Sequence, residues 1–131
     1  MNPLTIEWIT KAEGDFSTAG RELRARKAPN YDAVCFHSQQ SIEKYLKAIL
    51  QENGNPIPKT HVLLDLLVLC MRIDPIFQSI KGELNILEGH AVQFRYPGIS
   101  ADKTDAQFAY KNASTARNFI RKLLGLEKAL V

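Results

Sequence analysis

Apolar residues in this chain recur at intervals of three and four, and that spacing is typical of amphipathic α-helices. The clearest stripe lies near the N-terminus and comprises Trp8, Ala12, Phe16, Ala19 and Leu23. No run alternates apolar and polar residues with the β-branched enrichment of a strand, so every element is predicted to be helical. The sequence therefore predicts an all-α fold.

Caps and turn residues divide the chain into segments. The predicted helices run from Asn2 and Pro3 to Leu23, from Asn30 or Asp32 to Glu52, from Val62 to Ile73, from Asp74 and Pro75 to between Glu88 and Val92, and from Asp102 to Gly125. Short loops usually join antiparallel neighbours, which favours an up-and-down helical bundle of four long helices and a shorter fifth. We assign residues 1–125 to one domain and residues 126–131 to a C-terminal tail.

Composition indicates a soluble globular protein. A length of 131 residues suits one domain, and the chain is 45% hydrophobic and 24% charged. Neither a signal peptide nor a membrane span is apparent, so we expect a cytoplasmic protein. Cys35 and Cys70 each have apolar neighbours within a helix, which favours buried, reduced thiols. The net charge of +3 permits an anionic partner without requiring one.

The second helix contains two polar residues where a bundle helix would carry apolar ones. On a helical wheel, Gln39 and Glu43 fall within the apolar arc. That arc is formed by Cys35, Phe36, Ile42, Leu46, Ile49 and Leu50. The opposite arc is predicted to be solvated and contains His37, Gln40, Ser41, Lys44 and Lys47.

A carboxylate on the core side needs a cation, because burying it unpaired costs several kcal/mol. The candidate partners of Glu43 are Lys47, His61 and Arg95, and we favour Arg95. Arg95 belongs to the segment "FRYPG", in which the proline biases the preceding residue toward an extended conformation. A guanidinium held there could clamp Glu43 and Gln39. This pairing is either architectural or the edge of a pocket for a nucleotide base or phosphate.

Three segments, "AVCFHSQQSIEKYLKAIL", "KTHVLLDLL" and "FRYPG", resemble the HEPN family of small prokaryotic helical proteins. The resemblance runs from Trp8 to the last helix. It implies a helical bundle, frequently a homodimer, often encoded beside a minimal nucleotidyltransferase and proposed to bind nucleotides or to act in toxin–antitoxin pairs. The matching positions are Gln39, Gln40, Glu43, Lys44, Lys47, His61, Arg95 and Tyr96. His37 joins them as a candidate phosphate contact beside Gln40 and Lys44.

Many HEPN proteins are metal-independent ribonucleases that use an Arg followed, after four to six residues, by a His. No Arg occupies the required positions before His37, His61 or His90. The histidines also lack the spacing of a metal site, and there is no glycine-rich phosphate loop. We therefore predict no catalytic residue, no metal and no cofactor.

Two hypotheses follow from the resemblance. The first is a non-catalytic module, homodimeric and without membrane contact, that works with a separate nucleotidyltransferase protein and binds a nucleotide or RNA. The alternative is a ribonuclease toxin whose site is rebuilt from His37 or His61 with Arg95 across a dimer interface.

Overall fold

The computed structural model describes residues 1–126, and the regular structure in that range is entirely helical. Its helices are α1 Pro3–Leu23, α2 Tyr31–Glu52, α3 Leu63–Ile73, α4 Lys81–Gln93 and α5 Lys103–Leu123. A 3₁₀ segment, Pro75–Ile80, leads directly into α4. The predicted all-α bundle is confirmed. Of the predicted tail, only Leu126 lies within the described residues.

The helix caps lie where the sequence places them. Asn2 Oδ1 accepts a hydrogen bond from Leu4 N at 2.7 Å, and Asn30 Oδ1 accepts one from Ala33 N at 3.0 Å. Asp102 and Asp105 form a reciprocal capping box with distances of 2.8 and 2.9 Å. Each cap satisfies backbone N–H groups that a helix start leaves without a partner.

The fourth helix starts later than predicted. Asp74 caps the segment as expected, but the residues from Pro75 form 3₁₀ turns and α4 begins only at Lys81. In a 3₁₀ turn, residues three apart lie on one face. Phe77 and Ile80 therefore both reach the core, where each is 2% exposed.

Helix α2 is the central element of the bundle, because α1, α3, α4 and α5 all pack against it. The prediction of a solvated arc is therefore wrong for part of that arc: Ser41 and Lys47 are buried. Ser41 Oγ donates to Ala12 O of α1 at 2.9 Å. Conversely, Phe36, assigned to the apolar arc, is 47% exposed. A helix surrounded by neighbours has no broad face left for water.

Small residues allow α5 to lie close to α2. Ala109, Ala113 and Ala116 are fully buried in the main core cluster with Ile42 and Leu46 of α2. Short side chains reduce the distance at which two helix backbones can pack. Within the described residues, no helix is both long and apolar enough to span a bilayer.

Candidate functional site

Glu43 is the centre of a buried polar cluster on α2. The residue is 3% exposed, and its Oε2 atom accepts hydrogen bonds from Lys47 Nζ at 3.1 Å and from His61 Nδ1 at 3.0 Å. Its Oε1 atom accepts one from Gln40 Nε2 at 3.3 Å. The prediction of a buried and partnered carboxylate is confirmed. Three donors compensate for the water that burial removes.

The prediction that Arg95 is the partner of Glu43 is wrong. Lys47 lies one helical turn from Glu43, and His61 precedes α3 against α2, so both reach the carboxylate. Arg95 follows the end of α4 and is exposed, and within residues 1–126 it forms no ion pair. Lys47 and His61 therefore occupy the carboxylate of Glu43, and the "FRYPG" segment supplies no cation to it.

Gln39 fixes the same loop that His61 belongs to. Its Nε2 atom donates to the backbone oxygen of His61 at 3.1 Å, and its Oε1 atom accepts from Gln40 Nε2 at 2.9 Å. The core-facing polar residues of α2 therefore hold the loop before α3 rather than the loop after α4. His61 is held through both its backbone and its ring.

The contact with Glu43 determines which nitrogen of His61 carries a proton. An ionised carboxylate only accepts hydrogen bonds, so in this contact Nδ1 is the N–H donor and Nε2 is the nitrogen left for another partner. The side chain is 77% exposed. His61 is therefore an oriented, accessible imidazole that can exchange a proton or accept a hydrogen bond.

Four of the predicted site residues line one cleft of about 430 Å³, bounded by α2, the loop before α3 and the end of α4. The lining residues are Phe36, Gln39, Gln40, His61, Val62, Glu88, Val92 and Arg95. Glu88 was not predicted; its Oε1 atom accepts from Leu63 N at 2.9 Å and so caps α3. No local signal in the sequence links Glu88 to Leu63, because the contact spans two helices.

The cleft adjoins a second cavity of about 320 Å³ that shares Phe36 and Arg95 with it. His90 also lines this second cavity. Its Nδ1 atom is buried and has no hydrogen-bond partner within the described residues. A polar atom in that condition is suited to a ligand or to water.

Other predicted residues lie apart from the cleft. His37 Nδ1 is 2.8 Å from Asp15 Oδ1, and Lys44 forms an ion pair with the other oxygen of Asp15. Asp15 belongs to α1 and was not predicted. Lys47 also lies 5.6 Å from the ring centroid of Trp8, within range of a cation–π interaction. Tyr96 is 60% exposed and does not line the cleft.

A second polar network, partly buried and also unpredicted, lies on the opposite side of α2. Glu13 of α1 accepts two hydrogen bonds from Arg117 of α5, at 2.6 and 2.8 Å, and one from the hydroxyl of Tyr45. Burial alone would raise the pKa of Glu13, but the bonds from Arg117 and Tyr45 outweigh it and lower the pKa. Burial, with Glu13 adding to it, raises the pKa of Tyr45 to about 12. This network joins three helices.

The described residues contain no group of three or more His, Cys, Asp or Glu side chains placed to hold a metal ion. What the fold and the cleft define is a helical protein with a recess beside its central helix, lined by polar and apolar side chains and by one cation, Arg95, and one carboxylate, Glu88.

Residues 5–123 match the model of the HEPN domain, and the chain belongs to the HEPN family. A solved structure of ST0689, an archaeal HEPN homologue, is 23% identical with a TM-score of 0.73, covering 92% of this chain and 97% of its own. The structure of TT1696 from Thermus thermophilus is 22% identical with a TM-score of 0.71, covering 90% of this chain and 96% of its own. No match was found among curated proteins.

Proposed function

We propose that this chain is a non-catalytic HEPN module that binds a nucleotide in the cleft beside α2 and presents it to a separate minimal nucleotidyltransferase. In this proposal the module acts as a homodimer, and the two proteins form a pair of the toxin–antitoxin kind. The single observation that carries the proposal is the convergence of Arg95, His61 and Gln40 on one recess.

The groups around the cleft match the parts of a nucleotide. Arg95 supplies an exposed guanidinium for phosphate, and the exposed ring of Phe36 offers a face for a base. Both N–H groups of Gln40 are engaged, with Gln39 and with Glu43. The Oε1 atom of Gln40 accepts no hydrogen bond within residues 1–126 and is available to an amino group of a base.

The charges of the cleft also favour one orientation of the bound nucleotide. Glu88 lies within α4, whereas Arg95 lies two residues beyond the end of α4 at Gln93, so the two charges line different parts of the cleft. A phosphate is favoured at Arg95 and disfavoured at the carboxylate of Glu88. The base is therefore expected near α2 and Glu88, with the phosphate at the end of α4.

Calorimetric titration with ATP tests the binding step. Replacing Arg95 by Ala should weaken binding by about tenfold, because a charge-assisted hydrogen bond to phosphate is lost. The matched control is Arg72→Ala, which removes an exposed arginine from the last turn of α3. Equal affinities of the wild type and Arg95→Ala would reject the cleft as the nucleotide site.

The partnership with a transferase has its own test. The two proteins should co-purify, and nucleotide transfer should fall when this chain is omitted. Restoration by the wild type and not by Arg95→Ala would support presentation of a nucleotide from the cleft. Full activity of the transferase alone would overturn the proposal.

One observation favours a second candidate, a metal-independent ribonuclease. His61 has its Nδ1 proton held by Glu43 and shares a cleft with Arg95, so a proton acceptor and a phosphate-binding cation occur together in one chain. This arrangement needs no dimer interface. Incubation with labelled RNA and chelator discriminates the candidates: cleavage lost in both His61→Ala and Arg95→Ala would replace the non-catalytic proposal, whereas intact RNA supports it.

A further inference from the structure

We propose that a basic cavity between the α1–α2 loop and the start of α5 is a second anion site, which binds phosphate-bearing ligands independently of the cleft. The cavity has a volume of about 620 Å³. Its lining residues are Leu23, Arg24, Ala25, Arg26, Pro29, Tyr31, Lys103 and Gln107. The proposal does not depend on the function assigned to the cleft.

The cavity contains three cations and no acid in its lining. Arg24, Arg26 and Lys103 come from two segments that are distant in sequence. Within residues 1–126, none of the three forms an ion pair. Like charges held around one recess repel one another, and an anion placed between them removes that repulsion.

The acidic residues next to this cavity are already occupied. The carboxylate of Glu22 accepts from Asn30 N at 2.6 Å. Asp102 and Asp105 bind each other's backbone N–H groups in the capping box of α5. These bonds come from neutral N–H groups and leave the carboxylates charged, but within residues 1–126 none of the carboxylates forms an ion pair with Arg24, Arg26 or Lys103. The cations are left available for an external anion.

The guanidinium of Arg24 lies against α1, beside Gly20. A Cβ atom at Gly20 would lie 3.1 Å from Arg24 Nη1 and 3.0 Å from the hydroxyl oxygen of Tyr110. Arg24 therefore packs closely over α1, in space that any larger residue at position 20 would occupy.

The backbone of the loop supports the same interpretation. Ala28 has a φ of 47°, the only positive φ of a non-glycine residue within the described range. L residues rarely adopt this conformation, and strained positions cluster at binding sites. Lys103 lies in the first turn of α5, where the helix dipole repels a cation and the carboxylates of Asp102 and Asp105 attract it.

The chemistry of the cavity identifies a phosphate group as its ligand. Two guanidinium groups match the oxygen geometry of a phosphate, and the side chains of Tyr31 and Gln107 add hydrogen-bond donors. The phosphate could belong to a monoester, such as a free nucleotide, or to a diester in a nucleic-acid backbone. The ligands of the test separate these two sources.

The test is a titration with inorganic pyrophosphate at low salt, followed by the backbone amide resonances of the full chain. Saturable shifts are expected at residues 24–31 and 103–107. The triple variant Arg24→Ala, Arg26→Ala, Lys103→Ala should raise the dissociation constant by about tenfold or more. The control triple variant Lys59→Ala, Arg72→Ala, Lys81→Ala has the same net charge as the first variant. Its dissociation constant should stay within about twofold of the wild-type value.

Two further ligands identify the source. Binding of AMP and not of the dinucleotide UpU would assign the site to phosphate monoesters, and binding of UpU would assign it to a backbone diester. Arg95→Ala, which affects the cleft, should leave the shifts at residues 24–26 and 103–107 unchanged, because those residues do not line a cavity with Arg95.

Absence of saturable shifts below about 10 mM pyrophosphate would overturn the proposal. So would equal weakening in the two triple variants, because it would show attraction by net charge alone. Thermal melts of both variants establish that each remains folded.

Discussion

The Nδ1 atom of His61 lies 3.0 Å from Oε2 of Glu43, so a residue in the loop before α3 is bound to a carboxylate inside the central helix. The same oxygen binds Lys47, whose side chain is 7% exposed. The cluster therefore ties the loop before α3 to α2 and holds Gln40 and His61, which line the cleft. Its removal should affect stability, while changes at the rim of the cleft should affect binding.

Replacing Glu43 by Ala should lower the free energy of unfolding by about 3 kcal/mol, because it leaves the ammonium of Lys47 buried without a counter-ion. Urea denaturation measures the change. The matched control is Glu7→Ala, an exposed acid on α1, for which a change below about 0.5 kcal/mol is expected. A decrease in unfolding free energy below about 0.5 kcal/mol for Glu43→Ala would contradict the proposed stabilising role of the Glu43–Lys47 ion pair.

Acid should destabilise the protein partly through Glu13. Its folded pKa is lowered, since bonds from Arg117 and Tyr45 outweigh the effect of burial. A lowered folded pKa contributes stability above the unfolded value of about 4.3, and that stability is lost as pH falls through the folded pKa. Glu13→Gln should therefore flatten the dependence of unfolding free energy on pH below about pH 5.

The control for that experiment is Glu7→Gln, which should keep the wild-type slope. Identical slopes for the wild type and Glu13→Gln would show that the network with Arg117 does not contribute to acid sensitivity.

Both cysteines should be unreactive in the folded protein. They are buried and free, and burial raises the pKa of each thiol to about 12. The thiolate is the reactive form, so little of it is present at neutral pH. Ellman's reagent should report slow reaction under native conditions and rapid reaction of two thiols in guanidinium. Rapid modification of either thiol in the native protein would contradict this prediction.

Replacing Ala28 by Gly should stabilise the chain by about 0.5–1 kcal/mol. The left-handed conformation strains an L residue in the folded chain. Relief of that strain is expected to exceed the stabilisation of the unfolded chain by the extra backbone freedom of glycine. Thermal unfolding measures the change. Ala25→Gly in the same loop is the control, because its φ is not positive, and a small loss is expected there. A loss of stability at position 28 would show that the loop relaxes without strain.

Features that depend on neighbours within one helical turn could be predicted from the sequence. The caps at Asn2 and Asn30, the capping box of Asp102 with Asp105 and the alanine stripe of α5 all match the structure. Each involves residues no more than four apart, or a repeat set by the helix itself. The burial of Glu43 followed from the same helical repeat.

Long-range contacts could not be predicted in the same way. The arc of α2 containing Ser41 and Lys47 was predicted to be solvated, which would hold only if α2 lay at the edge of the bundle. The partners of Asp15 and Glu88 depend on how pairs of helices are placed side by side. Sequence spacing carries no information about those placements.

The amino-acid sequence alone predicts an all-helical chain, the caps of α1, α2 and α5, and two polar residues of α2, Gln39 and Glu43, that need partners inside the bundle. The packing of the helices brings His61, and not Arg95, to Glu43, whose other cation, Lys47, lies one turn along the same helix. The reason is physical: local hydrogen bonding sets helices and caps, whereas ion pairing follows whichever charged group the packing of helices brings within about 3–4 Å.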